Sequence, residues 1–469
     1  MTRTDDNEPA SVTRPGPNYR WWVVFMLWFI CFFNYADRQS IFSIFPKLEH
    51  EFGFSKVELG LIASAFMWMY AAGAPIAGYL ADRLRRKDLI LGGCLVWSAF
   101  TVSTAWCGKL AQFVAVRALE GLGETVYFPA SMSLISDYHD GKTRSRAMSY
   151  HLSSVYIGTI AGTFLGAWFA EHTGWRFGFY VFGGCGVLLS LVLLKTLREP
   201  PRGGARIVEI DSPEIVVGEV VPRNATTPPT DIVERGIIPG SRRETFAAAL
   251  RIFSVPTVLS LMIVFMLANF VASIFLTWMP TFLVEKFHLS LVKAGLGSAG
   301  IQLASALSMP LAGLLADRFS ARRAGGRMIV QAIGLFGGAG LVYAVGATTT
   351  LPALLCVMIA YGFCKGFYDS GIFASLYDVI EPRSRGTAAG IMNTAGWGGG
   401  ALGPLAVGYV TQHGRHTSQM ANMSEAISFG SVLYLVGASI LLLAIFAFAA
   451  RDRARLATAY PAAFFQGDR

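Results

Sequence analysis

Long apolar runs, each interrupted by a short polar connection, follow one another along almost the whole chain. A helix needs about 20 apolar residues to cross the hydrocarbon core of a bilayer, and that ruler divides the sequence into twelve segments. In the first half they cover 21–46, 57–81, 89–107, 110–136, 147–170 and 175–197; in the second, 255–283, 291–316, 328–345, 351–380, 386–410 and 427–450. Between Arg198 and Glu244 the apolar pattern stops and prolines accumulate from Pro200 to Pro239, which predicts a linker. The expected architecture is an all-α membrane protein of twelve transmembrane helices in two six-helix pseudo-repeats, 21–197 and 251–450. A disordered leader (1–20), a cytoplasmic linker (198–250) and a cytoplasmic tail (451–469) complete it.

Composition agrees with the pattern. With 53% hydrophobic and only 15% charged residues among 469, and a mean hydropathy of +0.48, the chain is too poor in charge for a soluble protein. The formal charge of +9 sits in short clusters between apolar runs rather than along one face, so it points to topology and not to nucleic acid. Arg83 to Lys87, Lys142 to Arg146, Arg318 to Arg327, Arg383 to Arg385 and Arg451 to Arg455 all fall on one side, which places both termini in the cytoplasm of a cell (inner) membrane. The opposite connections hold isolated charges such as Lys109, Arg176 and Arg415. The leader lacks the short apolar core and small-residue cleavage site of a signal peptide. Cys31, Cys94, Cys107, Cys185, Cys356 and Cys364 show no CxxC spacing and are expected to be free packing thiols, with no metal or cofactor. No HExxH, GxSxG or GxxxxGK string supports an enzyme.

The halves echo each other. Gly78-Tyr-Leu-Ala-Asp82-Arg83 returns as Gly313-Leu-Leu-Ala-Asp317-Arg318, and Arg144-Ser-Arg146 as Arg383-Ser-Arg385, each in the corresponding connection. Repeats of this kind around a central site are the architecture of many secondary transporters. The first of these strings, extended through Arg86 and Lys87, resembles the loop motif of the major facilitator superfamily, and the likeness covers all but the leader, linker and tail. It implies the major facilitator fold and a conformational latch of Gly78, Asp82, Arg83, Arg86, Asp137, Asp317 and Arg318. In that family the motif's Arg pairs with an acid at the end of the fourth helix, here Asp137, and holds the outward-facing state. Arg117 through Gly121 and Glu124 to Pro129, with Asp37-Arg38, resembles the anion:cation symporter branch, which implies import of organic anions such as sugar acids with protons. The Asn34-Tyr-Ala-Asp-Arg38 string and Trp97-Ser98 also resemble the Spinster-like branch, which implies lysolipid or another amphipathic substrate.

Ionisable groups inside apolar runs carry the candidate chemistry, because a charge near the centre of a helix in lipid costs about 2.5–3.5 kcal/mol and so faces a polar interior with a partner. Asp37 and Arg38 are sequence neighbours about 100° apart on a helix, so each must find its main partner on another helix. Arg117, Glu120 and Glu124 share one face of the fourth segment, and Lys365 and Asp369, with Tyr361 and Tyr368 beside them, one face of the tenth. With all seven ionised the cavity holds minus one and repels an anion; protonating two carboxylates makes it plus one. Asp37, Glu124 and Glu120 are therefore the expected proton carriers. Arg38 and Arg117 are the expected carboxylate forks, guanidinium being bidentate, and Arg117 is expected to hold Asp37 when the site is empty. Asn34, Tyr35, Tyr127, Lys365, Tyr368, Asp369 and Asn393 complete the substrate-binding set. The expected partners are a small organic anion, protons and the lipid bilayer, for a monomer with no nucleic acid. Trp21, Trp22, Trp68, Trp168 and Trp278 suit an interfacial belt, and Gly158, Gly162 and Gly166, like Gly399 and Gly403, suit close helix packing.

Overall fold

The computed structural model describes residues 17–139, 141–200, 252–381 and 384–459, with Pro17, Asp82, Gly141, Lys142 and Ala459 described by backbone alone. The linker beyond Pro200 and residues 1–16 of the expected leader lie outside the described residues. The first half consists of α1 (Pro17–Ser43), α2 (Phe45–Phe52), α3 (Lys56–Arg83), α4 (Arg86–Thr104), α5 (Leu110–Thr125), α6 (Tyr127–Tyr138), α7 (Gly141–His172) and α8 (Trp175–Thr196). The second consists of α9 (Pro256–Phe287), α10 (Leu291–Ser320), α11 (Gly326–Ala347), α12 (Leu351–Asp369), α13 (Ile372–Tyr377), α14 (Arg385–His413), α15 (Gln419–Leu443), a π-helical turn (Ala444–Ala449) and α16 (Ala450–Ala459). Among the described residues, eight spans are long and apolar enough to cross a membrane: α3, α7, α8, α9, α10, α11, α12 with α13, and α15 with its extension. The other long rods, α1, α4, α5 with α6, and α14, carry the charged, broken or glycine-rich stretches.

Two expected helices are broken. The segment expected over 110–136 divides at Val126, where Pro129 has no N–H to offer the Thr125 carbonyl four residues back. The segment expected over 351–380 divides at Ser370-Gly371, where glycine weakens the helix. At the chain ends α1 begins at Pro17, inside the stretch expected as leader, and α16 continues to Ala459, inside the expected tail.

Small residues set how closely the helices approach, since in lipid that approach rests on van der Waals contact rather than on exclusion of water. A Cβ added at Gly158 would stand 2.5 Å from the Phe32 carbonyl, one at Gly162 2.5 Å from Ala36 Cα, and one at Gly166 2.9 Å from Ser40 Cα, so the glycine stripe of α7 seats α1 against it. In the second half Gly399 and Gly403 seat α14 against Met266 and Phe270 of α9 in the same way.

The halves meet at the end opposite the arginine-rich connections. There Lys56 bridges Glu49 (2.5 Å) and Glu285 of α9, the Glu171 carboxylate accepts from the Val292 amide at 3.1 Å, and a Cβ at Gly60 would stand 2.6 Å from the Pro404 carbonyl. Trp278, expected in the interfacial belt, is instead wholly buried at this seam, its indole N–H donating to the Pro404 carbonyl at 3.0 Å. Contacts continue inward to Tyr70 on Trp397, rings 4.9 Å apart, and to Tyr156 on Met309. Nearer the arginine-rich end, a Cβ added to Gly78, Gly386 or Gly390 meets nothing within 4 Å.

Candidate functional site

The close seating of α1 on α7 decides where the next two side chains point. Ala36 faces Gly162 of α7; one step of about 100° turns Asp37 toward α4, and a second turns Arg38 toward α5. Thr101 of α4 donates to Asp37 Oδ2 at 3.0 Å, and the Arg38 amide donates to Asp37 Oδ1 at 2.6 Å. Arg38 Nε donates to Glu124 Oε2 at 2.9 Å, and its Nη2 reaches the same oxygen. Asn34, one turn before, accepts from the same guanidinium at 3.4 Å. Each member of the Asp37-Arg38 pair thus has its partner on another helix, as the sequence requires.

Arg117 differs from expectation. It pairs with Glu120 at 2.7 Å, one turn away on its own helix, and its Nη2 donates to the Arg38 carbonyl at 3.4 Å. Asp37 is not its partner; that carboxylate accepts from Thr101 and the Arg38 amide instead. Phe66 of α3 lies against both guanidiniums, 4.7 Å from each, and Tyr35, Tyr70 and Trp397 stand 4.5, 5.3 and 5.4 Å from Arg38. These faces stabilise the cations where water is excluded. Arg117 is 0% exposed, and Asp37, Glu120 and Glu124 are each 1% exposed.

One oxygen from each of Asp37, Glu120 and Glu124 lies within 4.8 Å of the others. That is close enough to share a cation, but the two guanidiniums already serve as the cluster's positive charges. Fully ionised, three carboxylates exceed two guanidiniums by one negative charge. Several atoms stay unsatisfied: Arg38 Nη1, Arg117 Nε, Asn34 Nδ2 and Glu124 Oε1 are buried without a hydrogen-bond partner. A buried donor left unpaired costs about 1–3 kcal/mol, more when charged, so these four atoms are polar positions of the cluster with hydrogen-bonding capacity left over.

The other expected residues divide into two groups. Tyr35 stands over Arg38, whereas Tyr127 gives its hydroxyl to the Leu27 carbonyl at 2.6 Å and meets His151 at 2.8 Å, so both its bonds are taken by packing partners. Asn393 is half-buried on α14, one turn from Trp397. Lys365 pairs with Asp369 on its own helix, and the buried Tyr368 hydroxyl has no partner. A correspondence the sequence reading missed is legible in retrospect: Glu120-Gly121-x-x-Glu124 on α5 matches Lys365-Gly366-x-x-Asp369 on α12, and both glycines press on a neighbouring helix, Gly121 on Phe66 and Gly366 on Ser305. Within the expected latch Arg86 pairs with Asp137 and also takes Glu199 at 2.8 Å, while Arg83 lies exposed over the Tyr79 ring. In the second half Arg327 holds Asp378 at 2.6 Å and Asp317 at 3.0 Å, and Arg318 is exposed. The Asp82 side chain lies outside the described residues.

The Major Facilitator Superfamily model matches residues 27–404 and 295–463. The chain belongs to that superfamily and is a multi-pass membrane transporter, not an enzyme. It is 25% identical over 440 residues to the D-galactonate transporter of Escherichia coli O6:H1, covering 91% of this chain and 97% of that one. It is 24% identical over 422 residues to the probable galactarate/D-glucarate transporter GudP of Escherichia coli K12, covering 86% and 90%. Among solved structures, a bacterial homologue of the human lysosomal transporter Spinster, in an inward-facing and unoccupied conformation, superposes with a TM-score of 0.75 at 21% identity over 94% of this chain and 99% of that one, which shows the fold.

Proposed function

We propose that the chain is a secondary active transporter that carries a small organic anion, a sugar acid or related carboxylate, together with protons by alternating access. The carrying observation is the buried cluster of two guanidiniums and three carboxylates with free donors on both guanidiniums. Arg38 Nη1 and Arg117 Nε bind the substrate carboxylate, Asn34 and Tyr35 flank it, and Tyr127 is a wall of the site. Proton binding to Asp37, Glu120 or Glu124 removes the excess negative charge that would repel the anion. Once the anion is held by Arg38, Glu124 loses its counter-charge. Protonation and anion binding therefore favour each other, which is the coupling a symporter needs.

The arginine-rich end is the cytoplasmic one, as short positive connections require. The seam at Lys56 and Glu285 is then the closed outer gate of an inner-membrane protein with both termini in the cytoplasm. The buried, charged surroundings of Arg38 and Arg117 favour a small anion over the lysolipid of the Spinster-like alternative, whose acyl chain would need an apolar lining beside its headgroup. The test is uptake into proteoliposomes with an imposed pH gradient, using D-galactonate, galactarate and a lysolipid. Accumulation of a sugar acid that collapses with a protonophore is expected; gradient-independent lysolipid movement alone would reverse the assignment.

A further inference from the structure

Lys365 and Asp369 occupy in the second half the repeat positions that Glu120 and Glu124 occupy in the first, yet they are arranged differently. The first-half carboxylates are sealed, whereas the side chains of Lys365 and Asp369 are 13% and 27% exposed. They lie toward the other half, within electrostatic reach of the Tyr156 hydroxyl on α7. Tyr361, Lys365 and Tyr368 recur at i, i+4 and i+7, so hydroxyls and the ion pair line one face of α12, backed by Tyr434, whose hydroxyl lies 3.0 Å from that of Tyr361. The pair is self-contained. Lys365 reaches Asp369 within one helical turn, and α9, the repeat counterpart of α1, carries no charge before Glu285, so no second cation is available to Asp369 from that helix.

Resting on the organic-anion assignment above, we infer that Lys365 and Asp369 form a neutral donor–acceptor subsite for the hydroxyl-bearing tail of the substrate, and that it makes the transporter selective for polyhydroxy monocarboxylates against dicarboxylates. An ammonium that donates and a carboxylate that accepts, side by side, match neighbouring hydroxyls, each of which can do both. A second carboxylate placed there must either meet Asp369 at close range or capture Lys365 and strand Asp369 without a counter-charge, and breaking a largely buried pair in this way is costly. Specificity then comes from the repulsion of Asp369 as much as from the attraction of Lys365.

Binding titrations on the purified full-length protein with D-galactonate, galactarate and galactitol test this, since the three share a carbon skeleton and differ in carrying one, two or no carboxylates. D-galactonate is expected to bind at least about tenfold tighter than galactarate. Asp369→Asn frees the Lys365 charge and should narrow or invert that ratio by raising galactarate affinity, an outcome that loss of a merely structural pair does not produce. Galactarate binding as tightly as D-galactonate to the wild type overturns the inference and leaves the anion assignment standing, as does an equal loss for both acids in Asp369→Asn. Galactitol equalling D-galactonate, or none of the three binding, overturns both. If Asp369→Asn does not fold, the wild-type ratio decides alone.

Discussion

The fourth and tenth transmembrane segments share one pattern and pair its ionisable residues differently. Each carries an ionisable residue, a glycine pressed on a neighbouring helix, and an acid three residues beyond that glycine, and each breaks just after the acid. In the first half the acid, Glu124, is paired across helices to Arg38, while the residue before the glycine, Glu120, pairs with Arg117 within its own helix. In the second half the same two positions, Lys365 and Asp369, neutralise each other. The difference lies in the first helix of each half: α1 brings Asp37 and Arg38 to the cluster, and α9 brings no charge to that depth. A cross-helix pair can be exchanged for a substrate or a proton when helices rock, because its partners belong to elements that move relative to one another. The Lys365–Asp369 pair lies within one helix turn, and α9 brings it no second cation, so its two members move together.

The largest effect should come from the first-half cluster. Asp37→Asn is expected to abolish accumulation against a gradient while leaving exchange of labelled for unlabelled substrate. Full gradient-driven accumulation by this variant would remove Asp37 from the coupling. The contrasting double variant Lys365→Gln/Asp369→Asn keeps the second half neutral and should still accumulate substrate with a pH gradient, at reduced affinity. If it too loses all accumulation, the division of labour between the halves fails.

An intermediate effect is expected at Arg117. Arg117→Lys keeps the charge and loses the fork, so an anionic substrate should bind at least about tenfold worse, roughly 1.4 kcal/mol, with a neutral analogue unaffected. Equal losses for acid and neutral analogue would make Arg117 a strut for Glu120 and the Arg38 carbonyl.

The smallest effect on affinity should come from the ends of the molecule, where the charges set populations. Glu285→Gln loosens the outer seam by removing one of the two carboxylates on Lys56, and should raise the outward-open fraction a few-fold, read from spin-label distances across the seam. Removing Asp82 should slow turnover and shift the same equilibrium with little change in substrate affinity. A large affinity loss with unchanged distances would transfer either residue to the binding site.

The apolar periodicity, the repeat and the positions of the ionised groups were all legible in the sequence, because each is a local property: a run of about 20 apolar residues, a recurring string, a charge where lipid forbids an unpaired one. The break at Val126 was also within reach, since Pro129 announces it, and so was the match between the fourth and tenth segments. Partner identity was not. Arg117 choosing Glu120 over Asp37, and Arg86 rather than Arg83 taking Asp137, depend on helix separations of a few ångströms and on rotations about each helix axis. At the central cluster those quantities depend on how far Gly162 lets α7 approach Ala36 and how closely Gly121 presses on Phe66. The sequence by itself determined a two-fold repeated helical membrane transporter with a charged centre. Only the tertiary structure decided which charges face one another, because pairing in a helical bundle is set by the packing of small residues on the opposite faces of the same helices.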